Sequence, residues 1–295
     1  MRNAFIQELV ALARVNPQIA LVVGDLGYSV IEPFSDEFPD RFINAGVAEQ
    51  NMTGLAAGMA SEGYHVFTYS IANFPTFRCA EQIRNDVDYH KLPVTVVAVG
   101  GGLAYGSLGY SHHAVQDYAL MRTLPNMLIA APGDPMEVRA CMRYLVDHPG
   151  PSYLRLGKAG EPNFHADVPD VAPGCWLTVS PGDAIAGESL LATGATLGVA
   201  MERQRQSSGL RPAVYSMPLW SMASKSLQTD QVICHSAVTT VEDHLRDGGF
   251  GSWLMEAVAD TPALLLRLSG EALHARVCGT VGSQTMLNAL GGLEA

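Results

Sequence analysis

The sequence predicts an α/β protein of two domains, each a mostly parallel sheet flanked by helices. Three observations carry this. Continuous apolar runs of strand length alternate with helical patterns in both halves of the chain. Strands that are apolar throughout are buried on both faces, as in a parallel sheet covered by helices. A proline-rich stretch of little periodicity divides the halves. The 295 residues, 48% hydrophobic and 16% charged, give material for about two cores and exclude a disordered chain.

The first domain is placed at residues 1–160. Phe5, Leu9 and Leu12 recur at helical spacing before the strand Ile19 to Val23, which ends at Gly24-Asp25. Met52, Leu55, Ala56 and Met59 mark a second helix, followed by strands at Val66 to Tyr69 and Val94 to Val99. A strand at Met127 to Ala130 precedes a helix over Met136 to Val146, with Pro135 favourable at its start. Residues 161–181 hold Pro162, Pro169, Pro173 and Pro181 and read as a linker. In the second domain, 182–295, strands are expected at Ser189 to Ala192, Ala213 to Met217, Val238 to Val241 and Leu264 to Leu266. Helices are expected at Thr196 to Gln206 and from Gly248 through Ala259.

Several function classes are excluded. No apolar run approaches the roughly 20 residues of a membrane span, and the best candidate, Leu92 to Gly102, is broken by glycines. Met1 to Glu8 has no apolar leader region. Acids outnumber bases 29 to 18, for a net charge of −11, with no Lys/Arg cluster to face nucleic acid. Five scattered cysteines, Cys79, Cys141, Cys175, Cys234 and Cys278, with no C-x-x-C pair, fit a reducing, cytoplasmic setting. There is no P-loop, no G-x-G-x-x-G and no nucleophile elbow. His112 and His113 are adjacent, so their side chains diverge, which is poor metal-ligand spacing.

In open α/β sheets ligands bind at the carboxyl ends of strands. The first strand ends in Gly24-Asp25-Leu26-Gly27-Tyr28-Ser29, and Val99 runs into a long glycine-rich loop, Gly100 to Ser111, closed by His112 and His113. The strongest local feature is Asn44-Ala45-Gly46-Val47-Ala48-Glu49-Gln50-Asn51-Met52, a glycine turn leading into a helix with Glu49 in its first turn. Taken alone, an acid there complements the helix dipole as readily as it does chemistry.

Five segments in order are more specific than any one. Gly24-Asp25-Leu26, Gly46 to Met52, Asn73-Phe74-Pro75-Thr76-Phe77, Gly109-Tyr110-Ser111-His112-His113 and Leu124-Pro125-Asn126 together resemble the C-terminal half of transketolase. They are also similar to the matching part of deoxyxylulose-phosphate synthase and to the β subunits of 2-oxoacid dehydrogenases. The resemblance runs from about Leu9 to the end, strongest over 24–158. It implies a pyrimidine-binding domain followed by a transketolase C-terminal-like domain, and thiamine diphosphate as cofactor.

By this resemblance Glu49 is the acid beside N1′ of the cofactor's pyrimidine, where a semi-buried carboxyl promotes the imino form that acts as base. Phe74 matches the stacking residue and Phe77 a second one nearby. Asp25 and Leu26 fall at a strand tip near the cofactor. His112 matches the channel histidine, which hydrogen-bonds substrate hydroxyls or moves protons at the new carbonyl. His113 stands where transketolase has glutamine. Ser29 and Lys158 fall at the substrate-phosphate positions, Lys158 without the fork of the usual arginine.

Three departures matter. Leu108 replaces an aspartate that reads an acceptor hydroxyl, which points to a deoxy, branched or otherwise unusual sugar. Gly100 replaces a histidine near the phosphate. The family holds Mg²⁺ and the diphosphate with G-D-G and a downstream Asn on a separate N-terminal domain. Here the Gly-Asp pairs are Gly24-Asp25-Leu26, Gly133-Asp134-Pro135 and Gly182-Asp183-Ala184, none of them G-D-G. The chain therefore reads as one subunit of a split, two-component transketolase, with no metal ligand of its own. An N-terminal partner subunit would supply the metal and diphosphate site in an α2β2 complex that moves a two-carbon ketol unit from a ketose phosphate to an aldehyde. The alternatives are the β subunit of a 2-oxoacid dehydrogenase, which a neighbouring acyltransferase gene would favour, and a scaffolding subunit without catalysis.

Overall fold

The computed structural model describes residues 1–183 and 187–294. Ala184, the last residue of the third Gly-Asp tripeptide, lies outside the described residues, as does Ala295. The fold is α/β: two mostly parallel sheets flanked by helices.

The first sheet has the order β10-β5-β6-β4-β3-β1-β2. Its strands are β1 (Ile19–Val23), β2 (Phe42–Asn44), β3 (His65–Ile71), β4 (Val94–Val99), β5 (Leu128–Ala130), β6 (Ser152–Leu156) and β10 (Leu219–Ser221). All pair in parallel except β10, which runs antiparallel to β5. The apolar strands are apolar because both faces are covered. Ala20 and Val22 of β1 enter one core while Ile19, Leu21 and Val23 enter the other. The helices Arg2–Val15 and Pro135–Asp147 cover the second face, joined by buried Glu8, which accepts from Arg139 at 3.0 Å and Arg143 at 2.7 Å.

The second sheet has the order β12-β11-β8-β9-β7, with β7 (Leu177–Ser180), β8 (Glu188–Ala192), β9 (Ala213–Ser216), β11 (Ala237–Leu245) and β12 (Leu268–Leu273). β7 is an antiparallel edge strand. Three expectations need correction. The strand read at Leu264 to Leu266 is a helical turn, Pro262–Leu265, which Pro262 opens; Leu266 is 91% exposed, and the strand follows at β12. The stretch 161–181 is not all linker, since β7 lies within it. Its start is also tied down, because Asp134 accepts from the Phe164 and His165 backbone at 2.7 and 2.9 Å. The third concerns β10, which follows β9 of the second sheet yet completes the first.

The seam between the sheets joins an apolar cluster that runs through both to a paired polar group. Arg155 of β6, 2% exposed in its side chain, donates to Asp117 at 2.6 Å and Asp243 at 2.5 Å. Beside it Glu242 accepts from the Phe250 and Gly251 amides at a helix start. His244 stacks on Tyr118 at 5.3 Å. Glu242-Asp243-His244 thus packs within this chain, between its two sheets.

Candidate active site

Glu49 opens the helix Glu49–Ser61. Asn44 builds its approach: its Oδ1 accepts from the Gly46 amide at 2.9 Å, and Gly46 turns the chain at φ +72°. The carboxylate is 4% exposed and lies beside Gly24, whose Cβ position would stand 3.6 Å from its Cγ. Both oxygens face a single cation, Arg78, whose Nη1 donates to each at 3.0 Å. The Arg78 guanidinium also lies 4.2 Å above the centre of the Phe74 ring. Phe74 meets His112 edge-on at 5.0 Å.

The structure therefore brings Glu49, Phe74 and His112 into one contiguous group and adds Arg78, which the sequence analysis missed. The signal was available: Phe74 and Arg78 sit four apart across one helical turn, where side chains meet. An open cleft of about 580 Å³ borders the group, lined by Val47, Ala48, Glu49, Gln50, Asn51 and Arg78.

His112 is part-buried, with Nδ1 3.0 Å from Ser111 Oγ. Burial and the neighbouring His113 and Arg78 charges lower its pKa, which favours the neutral imidazole. His113 turns inward instead: it is 1% exposed, with Nε2 3.3 Å from the Gly106 carbonyl. Phe77 is 47% exposed and lines a second cleft with Asn73, Tyr110 and His113.

The remaining positions make their hydrogen bonds, among the described residues, outside this group. Asp25 adopts φ +55° at the tip of β1 and accepts from Asn44 at 2.9 Å and Tyr28 at 2.8 Å. Those bonds hold its carboxyl below the ordinary range and tie β1 to β2. Leu26 follows it, half-buried. Ser29, exposed at φ +64°, donates its amide to Glu32 at 2.7 Å. Lys158 is exposed, its Nζ 5.3 Å from the Tyr105 ring. No hydrogen bond or ion pair among the described residues joins Ser29 or Lys158 to Glu49, Phe74 or His112.

The glycine loop has a steric cause. A Cβ on Gly100 would strike the Tyr105 ring, one on Gly101 the Arg155 guanidinium, and one on Gly102 the Asp243 carboxylate. Tyr105 thus fills the space of the side chain missing at Gly100. Leu108 stands 55% exposed on the same loop. Among the described residues no three His, Cys, Asp or Glu are grouped to hold a metal ion.

Residues 1–160 match the family model of the transketolase pyrimidine binding domain. The chain belongs to the transketolase family. Within it, the chain is 32% identical over 271 residues to an apulose-4-phosphate transketolase subunit of Phocaeicola vulgatus, covering 88% of this chain and 84% of that one. It is 32% identical over 304 residues to a 1-deoxy-D-xylulose-5-phosphate synthase of Syntrophotalea carbinolica, covering 99% of this chain but 46% of the longer protein. Among solved structures, a split gene transketolase described as an inactive β4 tetramer superposes with a TM-score of 0.84 at 31% identity, over 99% of this chain and 93% of that one. The Leishmania mexicana transketolase shares the fold, with a TM-score of 0.79 at 21% identity, over 99% of this chain and 43% of that one.

The residues present fit the pyrimidine end of the family's cofactor. Glu49 offers two acceptor oxygens in a water-poor site and Phe74 an aromatic face, and a flat cation already sits on both.

Proposed function

We propose that this chain is the pyrimidine-binding subunit of a two-component, thiamine-diphosphate-dependent transketolase. The observation that carries the reading is the buried Glu49 carboxylate beside Phe74 and His112. When bound, thiamine diphosphate supplies a nucleophilic carbon and an electron sink for breaking the bond beside a ketose carbonyl. Glu49 holds the proton at the pyrimidine N1′. Phe74 supports the ring face, and Phe77 and the Asp25-Leu26 tip follow the carboxyl ends of the adjacent parallel strands β3 and β1. His112, neutral near pH 7, serves substrate hydroxyls or the carbonyl oxygen as donor and acceptor. Ser29, Lys158 and His113 are assigned to substrate, with Lys158 toward a phosphate.

The diphosphate and Mg²⁺ then fall to an N-terminal partner subunit in an α2β2 complex. Similarity to a subunit of the apulose-4-phosphate enzyme and to a split gene transketolase supports this division. The reaction moves a two-carbon ketol unit from a ketose phosphate to an aldehyde. Exposed, apolar Leu108 favours an acceptor without the hydroxyl that an aspartate would read.

The test is co-purification with the partner, followed by assay of the complex with ketoses and aldehydes. Glu49→Gln should abolish turnover, by a thousandfold or more, while the complex still assembles. Full activity in Glu49→Gln, or in the chain without any partner, rules the reading out.

A further inference from the structure

Arg78 touches both Glu49 and Phe74, yet the proposed chemistry does not call for it. Its guanidinium is a flat, delocalised cation. One nitrogen donates to both Glu49 oxygens at 3.0 Å, and Cζ lies over the Phe74 ring, 4.2 Å from its centre. A protonated aminopyrimidine on the same two residues would present the same three features: a planar ring, an N–H aimed at the carboxylate, and a face against the phenylalanine. The two groups cannot use those surfaces together.

We propose that Arg78 is a latch that fills the pyrimidine subsite while it is empty and must swing out for the cofactor to enter. The inference rests on the reading of Glu49 and Phe74 as pyrimidine-binding residues. Burial explains why a latch is needed. Glu49 is 4% exposed, and a carboxylate left unpaired there is costly. A cation exchanged for a cation keeps it satisfied throughout.

Arg78 is also built to leave. Its side chain is 49% exposed, and its hydrogen bonds among the described residues go to Glu49 alone. Departure breaks one ion pair and the contact with the Phe74 ring, and both are replaced when the cofactor's pyrimidine takes the same surfaces. The cleft beyond, past Gln50 and Asn51, leaves room for the long side chain. Arg78 is thus a specificity-determining residue that sets cofactor affinity by competing for its site.

The test uses the complex of this chain with its diphosphate-binding partner. Thiamine diphosphate is titrated at fixed Mg²⁺ and followed by calorimetry, with Arg78→Met and Arg78→Gln beside the unaltered complex. Both variants should bind the cofactor at least fivefold more tightly. The cofactor-free Arg78→Met complex should melt earlier than the unaltered one, with the difference closing at saturation. Equal or weaker binding by both variants overturns the latch, since Arg78 would then be neutral or would support Glu49 in the loaded site. An unaltered complex with no affinity for thiamine diphosphate would instead overturn the functional reading itself.

Discussion

Arg155 of β6 and Asp243 of β11 meet at 2.5 Å in the seam between the two sheets. Both are nearly inaccessible, and Arg155 is shared with Asp117 at 2.6 Å. Removing one member of such a pair strands a charge away from water, at a cost of about 3–5 kcal/mol. Asp243→Ala should therefore lower the unfolding free energy by that amount in chemical denaturation, and Arg155→Met likewise. A loss under about 1 kcal/mol for either, the range of solvent-exposed pairs, would show that water reaches the seam.

Gly102 lies directly against that pair. It adopts φ +63°, and a methyl group there would meet the Asp243 carboxylate. Strain and collision together should make Gly102→Ala destabilising by roughly 1–3 kcal/mol. Combined with Asp243→Gly the collision disappears, so the double variant should lose less than the sum of the two. Strict additivity in denaturant titrations would contradict the contact.

His65 gives a stability change with pH. Burial pushes its pKa down to about 4 from the ordinary 6.5, while Nε2 pairs with Thr95 at 2.8 Å. The unfolded chain therefore takes up the proton first. The stabilisation is fully present above pH 6.5 and is lost as pH falls toward 4, up to roughly 3 kcal/mol. His65→Gln should flatten the acid limb of the melting-temperature profile across that same window. An unchanged limb would assign acid sensitivity to other groups.

Phe74 and His112 separate binding from chemistry in the proposed complex. A lost aromatic contact is worth roughly 0.5–1.5 kcal/mol, so Phe74→Ala should raise the half-saturating cofactor concentration about two- to thirteenfold. His112→Asn should lower kcat and leave that concentration near its original value. It should also remove an acidic limb of the rate profile lying below the usual histidine range, as the lowered pKa of His112 requires. Equal effects of both variants on cofactor binding would contradict the division.

Where apolarity alone decides a strand, the sequence was readable: Val94–Val99 is β4 to the residue, and β1 likewise. β6 was missed because Arg155 interrupts Ser152–Leu156 with a charge that is tolerated only through partners distant in sequence. β10 was missed because three residues carry no period, and their pairing with β5 is set by the tertiary fold. Leu264 to Leu266 misled because an apolar triplet after a proline suits a helical turn as well as a strand. The motifs named Glu49, Phe74 and His112, whose side chains the fold brings next to one another through Arg78 and Phe74. Arg78 carries no motif, and its contact with Phe74 depends on the geometry of one helical turn.

The crossing of β10 into the first sheet has a practical corollary. A fragment ending at residue 160 would keep the Glu49 helix but uncover the free side of β5, leaving unsatisfied amides and carbonyls beside the hydrophobic surface that Leu219 and Trp220 now shield. Such a truncation should self-associate, so the two halves are better treated as a single folding unit than as separable modules.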